Sequence, residues 1–551
     1  MKKILSVCLS LIMILFVFAM PTSAAVIEEF YFDVAVDDVN YVLYDDMALA
    51  MGFDFDEEDT SPKPGIAIPE TITHDGKNFT VIGIFDMAFS ESDYTSVTLP
   101  STITYMGSAA FASSPYLENV VIPADCNFEY FGEDVFIGTP FEEKIYSKDE
   151  VIFGKNVLFS YIGNADEYVI PENIEIIVSK CFFMSGLKNI VFNEKVTEIP
   201  YLAFASCRNL TEVNIPDNIE MIGDGAFKDC TNLQKVILGE KVHRLGVDCF
   251  ANTKIKSIHL GAEVYDITGA FKDCKTLESI TVDPANTALL TDGKALYFKT
   301  TFVFDGEERE GLILKYYLPS KAQGKITLNA SVGAIEDYAF YGCNGLEEVV
   351  AKDLEYVGSQ AFCNSSIKKF SAKGDYWVWD AAFRNCKNLE SINLENVEYI
   401  GVGAFENCTS LENVTFSESI GEISELAFSN TGLKNVEIQG NDCYIYESAF
   451  KGCKNLETVR LEEGVTGVGM NAFLGCPELK TIYISKTVKS IDDKAFNGCE
   501  NVSFQVIEDS AGHNFVEDAG YDYEIVGRLS FFERIAAFFE NLINLLFGWI
   551  I

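Results

Sequence analysis

The chain is poor in the residues that carry most site chemistry. It has four histidines in 551 residues, three tryptophans, fourteen prolines and about half as many basic residues (41) as acidic ones (83). His74, His243, His259 and His513 are scattered, and no His-x-x-x-His or Cys-x-x-Cys pair occurs, so zinc-ligand spacing is missing. There is no Gly-x-Ser-x-Gly elbow and no Gly-x-x-x-x-Gly-Lys loop, which removes the common hydrolase and phosphate-binding signatures. A formal charge of −42 would repel nucleic-acid phosphates. That charge reads as a solvated acidic surface, not as an acidic groove for a basic partner. Carboxylates are abundant enough for paired-acid chemistry, but those of the repeat fall mostly in turns facing water, where nothing desolvates them and tunes a proton donor. The chain is therefore expected to be no enzyme and to need no cofactor or metal. The acidic stretch "DFDEEDTSPKPG" (54–65) lacks the central Gly and terminal Glu of a calcium loop and reads as solvated.

What the chain has is periodicity. A small residue followed by Phe returns at Phe89, Phe111, Phe136, Phe182, Phe204, Phe227, Phe250 and Phe271, then at Phe340, Phe362, Phe383, Phe405, Phe428, Phe450, Phe473 and Phe496. Most steps are 21 to 23 residues, and the step from Phe271 to Phe340 is three times 23. Within "NLTEVNIPDNIEMIGDGAFKDC" (209–230) the apolar residues alternate over short runs broken by Pro216-Asp217-Asn218 and Gly223-Asp224-Gly225, a pattern of brief strands and turns. One such coil buries about seven side chains at roughly 1.5–3 kcal/mol each, too little to offset ordering its residues, so adjacent coils must share one core. Stacking places equivalent residues about 4.8 Å apart along parallel strands.

Leu210–Cys230, Leu389–Cys408 and Leu456–Cys476 carry the pattern Leu-x-x-Ile-x-Ile-Pro-x-x-Val-x-x-Ile-Gly-x-x-Ala-Phe-x-x-Cys, the last two without its proline. This resembles the BspA-type leucine-rich repeats of secreted and surface proteins of bacteria and some protists, over about residues 80 to 505. The resemblance implies a mostly-β repeat solenoid, a rod, acting as a recognition or adhesion scaffold for host or neighbouring-cell molecules. Two stretches read as hairpins inserted between coils, about 141–171 around "VIFGKNVLFSYIG" and about 283–319 around "GLILKYYLP", the second with an acidic tip at Asp305–Glu310. Residues 26–80 suit an N-terminal β cap with a turn at Asp75-Gly76, and 506–527 a closing helix and strand.

The ends carry their own signals. Met1-Lys2-Lys3, the apolar run Ile4–Met20 and "PTSAAV" match a secretory signal covering residues 1–25, which places the protein outside the cell, secreted or on the surface. At the other end 528–551 reads as an amphipathic helix, with Phe531, Ile535, Phe538, Phe539, Leu542, Leu545, Leu546 and Trp549 on its apolar face. Its expected contacts are a membrane surface or hydrophobic partner, its own solenoid, or a membrane span, the last disfavoured by a polar stripe. No Leu-Pro-x-Thr-Gly sorting motif is present.

Nine cysteines, Cys207, Cys230, Cys274, Cys343, Cys386, Cys408, Cys453, Cys476 and Cys499, stand three residues after the marker Phe. Stacked in register, their Cβ atoms would sit about 4.8 Å apart and parallel, outside the usual disulfide range of about 3.5–4.5 Å. They are expected to be buried reduced thiols behaving as small hydrophobes, with only Cys126, Cys181, Cys249, Cys363 and Cys443 free to do otherwise. The residue five before the Phe is apolar and inward, so those four and six before it face out. At six before stand Tyr356, Trp377, Tyr399, Glu422 and Tyr444, and at four before, where Gly is usual, Trp379 and Tyr446. This predicts an outward aromatic strip that either braces adjacent strands or binds a ligand, a protein or a glycan of unknown identity. The chain is expected to be a monomer.

Overall fold

The computed structural model describes residues 31–36, 39–52, 61–304, 307–530 and 532–534. The signal segment, most of the acidic loop and all eight apolar positions of the final helix, from Phe531 to Trp549, lie outside them. The chain divides into two compact units, Met1–Glu142 and Glu143–Ile551. Among the described residues no helix is long and apolar enough to cross a membrane.

In the first unit an antiparallel meander, Tyr31–Val36, Val39–Tyr44 and Met47–Gly52, is continued by parallel pairing of Met47–Gly52 with Lys77–Ile84. Thr71–His74 folds back on Lys77–Ile84 around Asp75 and Gly76, both at positive φ. From Lys77–Ile84 onward the pairing stays parallel, to Tyr105–Met106 and then Tyr130–Phe131. A second row runs Ile66–Ala67, Ser96–Thr98, Asn119–Val121. Phe89, Phe111 and Phe136 are fully buried between the rows and stack at 5.4 and 5.7 Å.

The second unit repeats this coil many times. Its Phe rings stack nearly parallel, 4.5 Å apart at Phe182–Phe204, 5.1 Å at Phe204–Phe227, and 4.8 to 5.3 Å from Phe340 to Phe496. Such pairs contribute about 0.5–1.5 kcal/mol each beyond their burial. At the turn the Phe N–H donates to the carbonyl of the residue before the next coil's Phe, as from Phe204 to Ala226 at 2.7 Å. Two residues after the Phe the backbone is left-handed, and Asp, Asn or Gly commonly stands there, as at Asp229, Asn385 and Gly475.

The stretch 283–319 holds two long antiparallel strands, Ala295–Phe304 and Glu307–Tyr317. Here the single shared core expected from the repeat divides into two clusters. Side chains alternate along the strands and a bulge puts Leu314 opposite Tyr297 directly after Tyr316 opposite Leu296, so Leu296 and Tyr316 complete the first cluster while Ala295, Tyr297, Leu314 and Tyr317 begin the second. Tyr316 caps Phe271 edge-on at 5.8 Å, and Tyr317 takes the ladder place against Phe340 at 5.0 Å. In 141–171, Glu150–Phe153 and Val157–Tyr161 pair antiparallel, and the second strand then pairs parallel with Ile176–Ile177. A six-residue helix, Pro140–Ile145, precedes them, an element the repeat pattern does not announce. The far end closes with a helix, Ala511–Ala519, capped by Ser510 and Gly520, and a strand, Asp522–Arg528, paired parallel to Ser503–Glu508. Beyond it Glu533 bonds Lys486 at 3.0 Å and Arg534 bonds Asp509 at 2.9 Å.

All fourteen cysteines among the described residues are buried and reduced, the five off the ladder included. They do more than fill space, which corrects the reading of them as small hydrophobes. Eight of the nine ladder thiols, all but Cys343, donate to the carbonyl of the previous coil's Phe, as Cys207 to Phe182 at 3.0 Å, Cys386 to Phe362 at 3.0 Å and Cys408 to Phe383 at 3.1 Å. Burial pushes the Cys386 thiol up to about 12, so it keeps the proton it donates. Where the position is not Cys it is Ser or Thr, and Ser114 donates to Phe89 in the same way at 2.9 Å.

Candidate functional site

Of the six aromatic candidates, Tyr356, Trp377, Tyr399 and Tyr444 lie in strands of the eleven-stranded sheet of the second unit, and Trp379 and Tyr446 directly follow theirs. Strand register places Tyr356 opposite Trp377, Trp377 opposite Tyr399, Tyr399 opposite Glu422 and Glu422 opposite Tyr444. The alternate residues Val357, Val378, Ile400 and Ile445 are fully buried, which turns this column outward. Trp377 and Tyr446 are 45% and 43% exposed, and the other four are half-buried.

The structure brings only part of the strip together. Trp377 meets Trp379 edge-on at 5.6 Å, and Trp379 leans on Tyr399 at 5.5 Å. Tyr444 and Tyr446 form their own pair at 4.8 Å beyond Glu422, whose charge is the main reason the Tyr446 phenol is raised. Beside Trp377 and Trp379 an open cleft of about 600 Å³ spans four consecutive coils. Glu336 and Asp337 come from the first, Glu355, Tyr356 and Ser359 from the second, Asp375 and both tryptophans from the third, and Glu398 from the fourth.

The cleft lies where a local contact changes. Where Asp stands three before the Phe, it accepts the N–H of its counterpart one coil on: Asp224 from Val247 at 2.9 Å, Asp380 from Val402 at 2.8 Å. A Cβ at Gly246 or Gly401, four before the next Phe, would lie 2.4 or 2.5 Å from that carboxylate and 2.5 or 2.7 Å from the same Asp's backbone N. At the third cleft coil Ser359 stands in the place of the Asp, and Trp379 in the place of the Gly.

Electrostatically the cleft is acidic. Glu336 is paired with Lys315 at 2.8 Å, both largely buried. Glu398 accepts the Trp377 indole N–H at 3.2 Å. Asp337 accepts the Ser359 N–H at 2.6 Å, yet burial, followed by the neighbouring charge of Glu336 and Asp380, holds its carboxyl above the usual range. The reading that nothing desolvates the acids of the repeat therefore fails at Asp337. Burial, then Glu336, Asp337 and Glu355, raise the Tyr356 phenol as well. Sequence reasoning found the aromatics but missed the carboxylates. Glu355, Asp375 and Glu398 lie seven or eight residues before their Phe, and only strand register shows that they share one opening. Among the described residues no group of three or more His, Cys, Asp or Glu side chains is arranged to hold a metal ion.

A stack of short parallel strands, turned at Ala-Phe and sharing Leu, Ile and Phe columns, defines the leucine-rich repeat class. The chain belongs to the BspA type leucine rich repeat region family, which matches in six copies over residues 76–161, 152–278, 313–394 and 377–503. Among solved structures it is similar to a leucine rich cell surface protein from Faecalibacterium prausnitzii, at 23% identity over 91% of this chain and 100% of that one, with a TM-score of 0.34. It is also similar to the pneumococcal vaccine antigen PcpA (16% identity, 90% and 98% covered, TM-score 0.37). A leucine-rich repeat protein from Eubacterium ventriosum is a third (21%, 63% and 92%, TM-score 0.44). No curated protein matches.

Proposed function

We propose that this protein is an exported, non-catalytic recognition scaffold that presents its coil surface to a protein partner outside the cell, as an adhesin would. The observation that carries this reading is the outward strip, which holds an exposed Trp377 beside Trp379 in coils whose interior is otherwise sealed. Clustered Trp and Tyr are the usual anchors of protein interfaces, because a large rigid ring gains contact area at little entropic cost. Export rests on the charged start and apolar run of residues 1–25. The final helix, 528–551, would add attachment to a membrane surface or a hydrophobic partner.

The test replaces Trp377 and Trp379 together by Ala and measures binding to a panel of matrix and cell-surface proteins. Loss of a wild-type interaction with unchanged circular dichroism supports the reading, and an undiminished set of interactions removes the strip from it. A glycan-binding reading is favoured by one observation, the flat indole faces flanked by carboxylates that could accept sugar hydroxyls. A glycan array run beside the protein panel separates the two.

A further inference from the structure

The cleft has a specific chemistry beyond "aromatic". Its lining includes two tryptophans, one tyrosine and five carboxylates, and no Lys or Arg. Lys315, outside the lining, pairs with Glu336 at 2.8 Å and donates to Thr268 at 3.2 Å. Asp375, in the coil of Trp377, and Glu398, in the next coil, are both exposed. An aromatic face attracts a cation through its quadrupole, and carboxylates at the rim supply the charge that anchors it. A planar guanidinium uses both, stacking on a ring while its N–H fork meets carboxylates, whereas an ammonium is a compact, strongly hydrated point charge. A volume of about 600 Å³, open along one side, admits one long side chain with its backbone outside.

We propose that this cleft binds an arginine side chain carried by a basic segment of a protein partner, with Trp377 and Trp379 as the stacking surface and Asp375 and Glu398 as the charge anchors. The proposal rests on the scaffold reading above and gives its partner a chemistry: locally cationic and arginine-bearing. It also assigns part of the acidic surface a role that net charge alone does not suggest.

The chain has three tryptophans, two of them in the cleft, so intrinsic fluorescence reports on it directly. The full mature chain is titrated with a short peptide of alternating arginine and glycine, with its citrulline counterpart, which keeps shape and loses charge, with the lysine counterpart, and with choline. The expected result is a saturable fluorescence change with the arginine peptide, at least about tenfold weaker with citrulline or lysine. Asp375→Asn with Glu398→Gln should weaken the arginine peptide about tenfold, and raising salt from about 50 to about 500 mM should weaken it further. Equal binding of citrulline, no saturable change, or choline binding as tightly as the arginine peptide would each overturn the assignment. Trp377→Ala, read by calorimetry with circular dichroism as the fold control, should abolish the arginine peptide. If that variant still binds a protein of the panel while no arginine peptide binds wild type, the cleft is wrong and the scaffold stands.

Discussion

Coils built on Phe204 to Phe271 and coils built on Phe340 to Phe405 share a backbone and differ in what they show to solvent. In the first set acids on the coil surface are bridged to lysines of adjacent coils: Glu212 is bonded by Lys235, and Asp248 lies 2.7 Å from Lys228 and 3.6 Å from Lys272. Asp224 and Gly246 interlock across adjacent coils and close the surface. In the second set Ser359 and Trp379 stand where Asp and Gly interlock elsewhere, and acids from four coils line the opening beside them. The interior is identical in kind, an unbroken ladder of buried Phe in both. A solenoid can thus vary one outward position per coil without disturbing its core, because each residue type answers only to the coils above and below it.

The sharpest way to break this comparison is to cut the ladder. Phe227 is fully buried between rings at 5.1 and 5.5 Å. Phe227→Ala should cost about 3–5 kcal/mol, and chemical denaturation should show it. Trp377→Ala, half in water, should cost about 1 kcal/mol or less in the same measurement. Similar losses for both would mean that the strip is structural bracing.

Next in size is the interlock. Gly246→Ala would put a Cβ 2.4 Å from Asp224 Oδ1 and 2.5 Å from the Asp224 backbone N. The backbone contact cannot swing away, so a loss of about 1–3 kcal/mol is expected. Trp379→Gly, which returns the usual residue to its place, should cost less in the same denaturation series. If Gly246→Ala is neutral, the close approach of adjacent coils is not what excludes a side chain at this position.

The repeat period, the Phe ladder and the outward column were all readable from the sequence, because each depends only on spacing along the chain. The Ser, Thr or Cys rule was equally visible, at Ser92, Ser114, Thr139, Ser185, Thr253, Ser365 and Thr431, but a search restricted to cysteine hides it. Grouping the three by their shared ability to donate would have found it. The carboxylates of the cleft were not readable. Acids in turns look alike until strand register fixes which neighbour each one meets. The division of the core at Tyr316 and Tyr317 was hidden for a related reason, since two adjacent tyrosines at the end of a long strand do not announce that they face opposite ways into two clusters.

The donor position gives a smaller test within the sealed coils. Cys230 donates to the Phe204 carbonyl at 3.1 Å. Cys230→Ser keeps a donor of the kind Ser114 already supplies and should be nearly neutral, whereas Cys230→Ala leaves a buried carbonyl with one partner fewer and should cost about 1 kcal/mol. Equal effects of the two in thermal unfolding would return the ladder to simple packing.

The smallest expected effect separates the two regions by pH. Glu175, in the coil built on Phe182 just before the first set, is lowered chiefly by its bond from Lys195. Its folded form binds fewer protons than the unfolded chain, so its contribution is present above the ordinary carboxylate range and is lost as pH falls through the lowered value. Asp337, in the cleft, is raised chiefly by burial. Between the unfolded and the raised folded value the native state holds the extra proton, so stability rises as pH falls through that window, the opposite sign. Comparing wild type with Asp337→Asn by urea unfolding at steps from about pH 7 to about pH 4 should show the variant losing that gain on acidification. Glu175→Gln should instead lose the stability that wild type keeps at neutral pH. If the two substitutions change the pH profile with the same sign, the cleft is no more desolvating than the rest of the surface, and what distinguishes it is its aromatic lining alone.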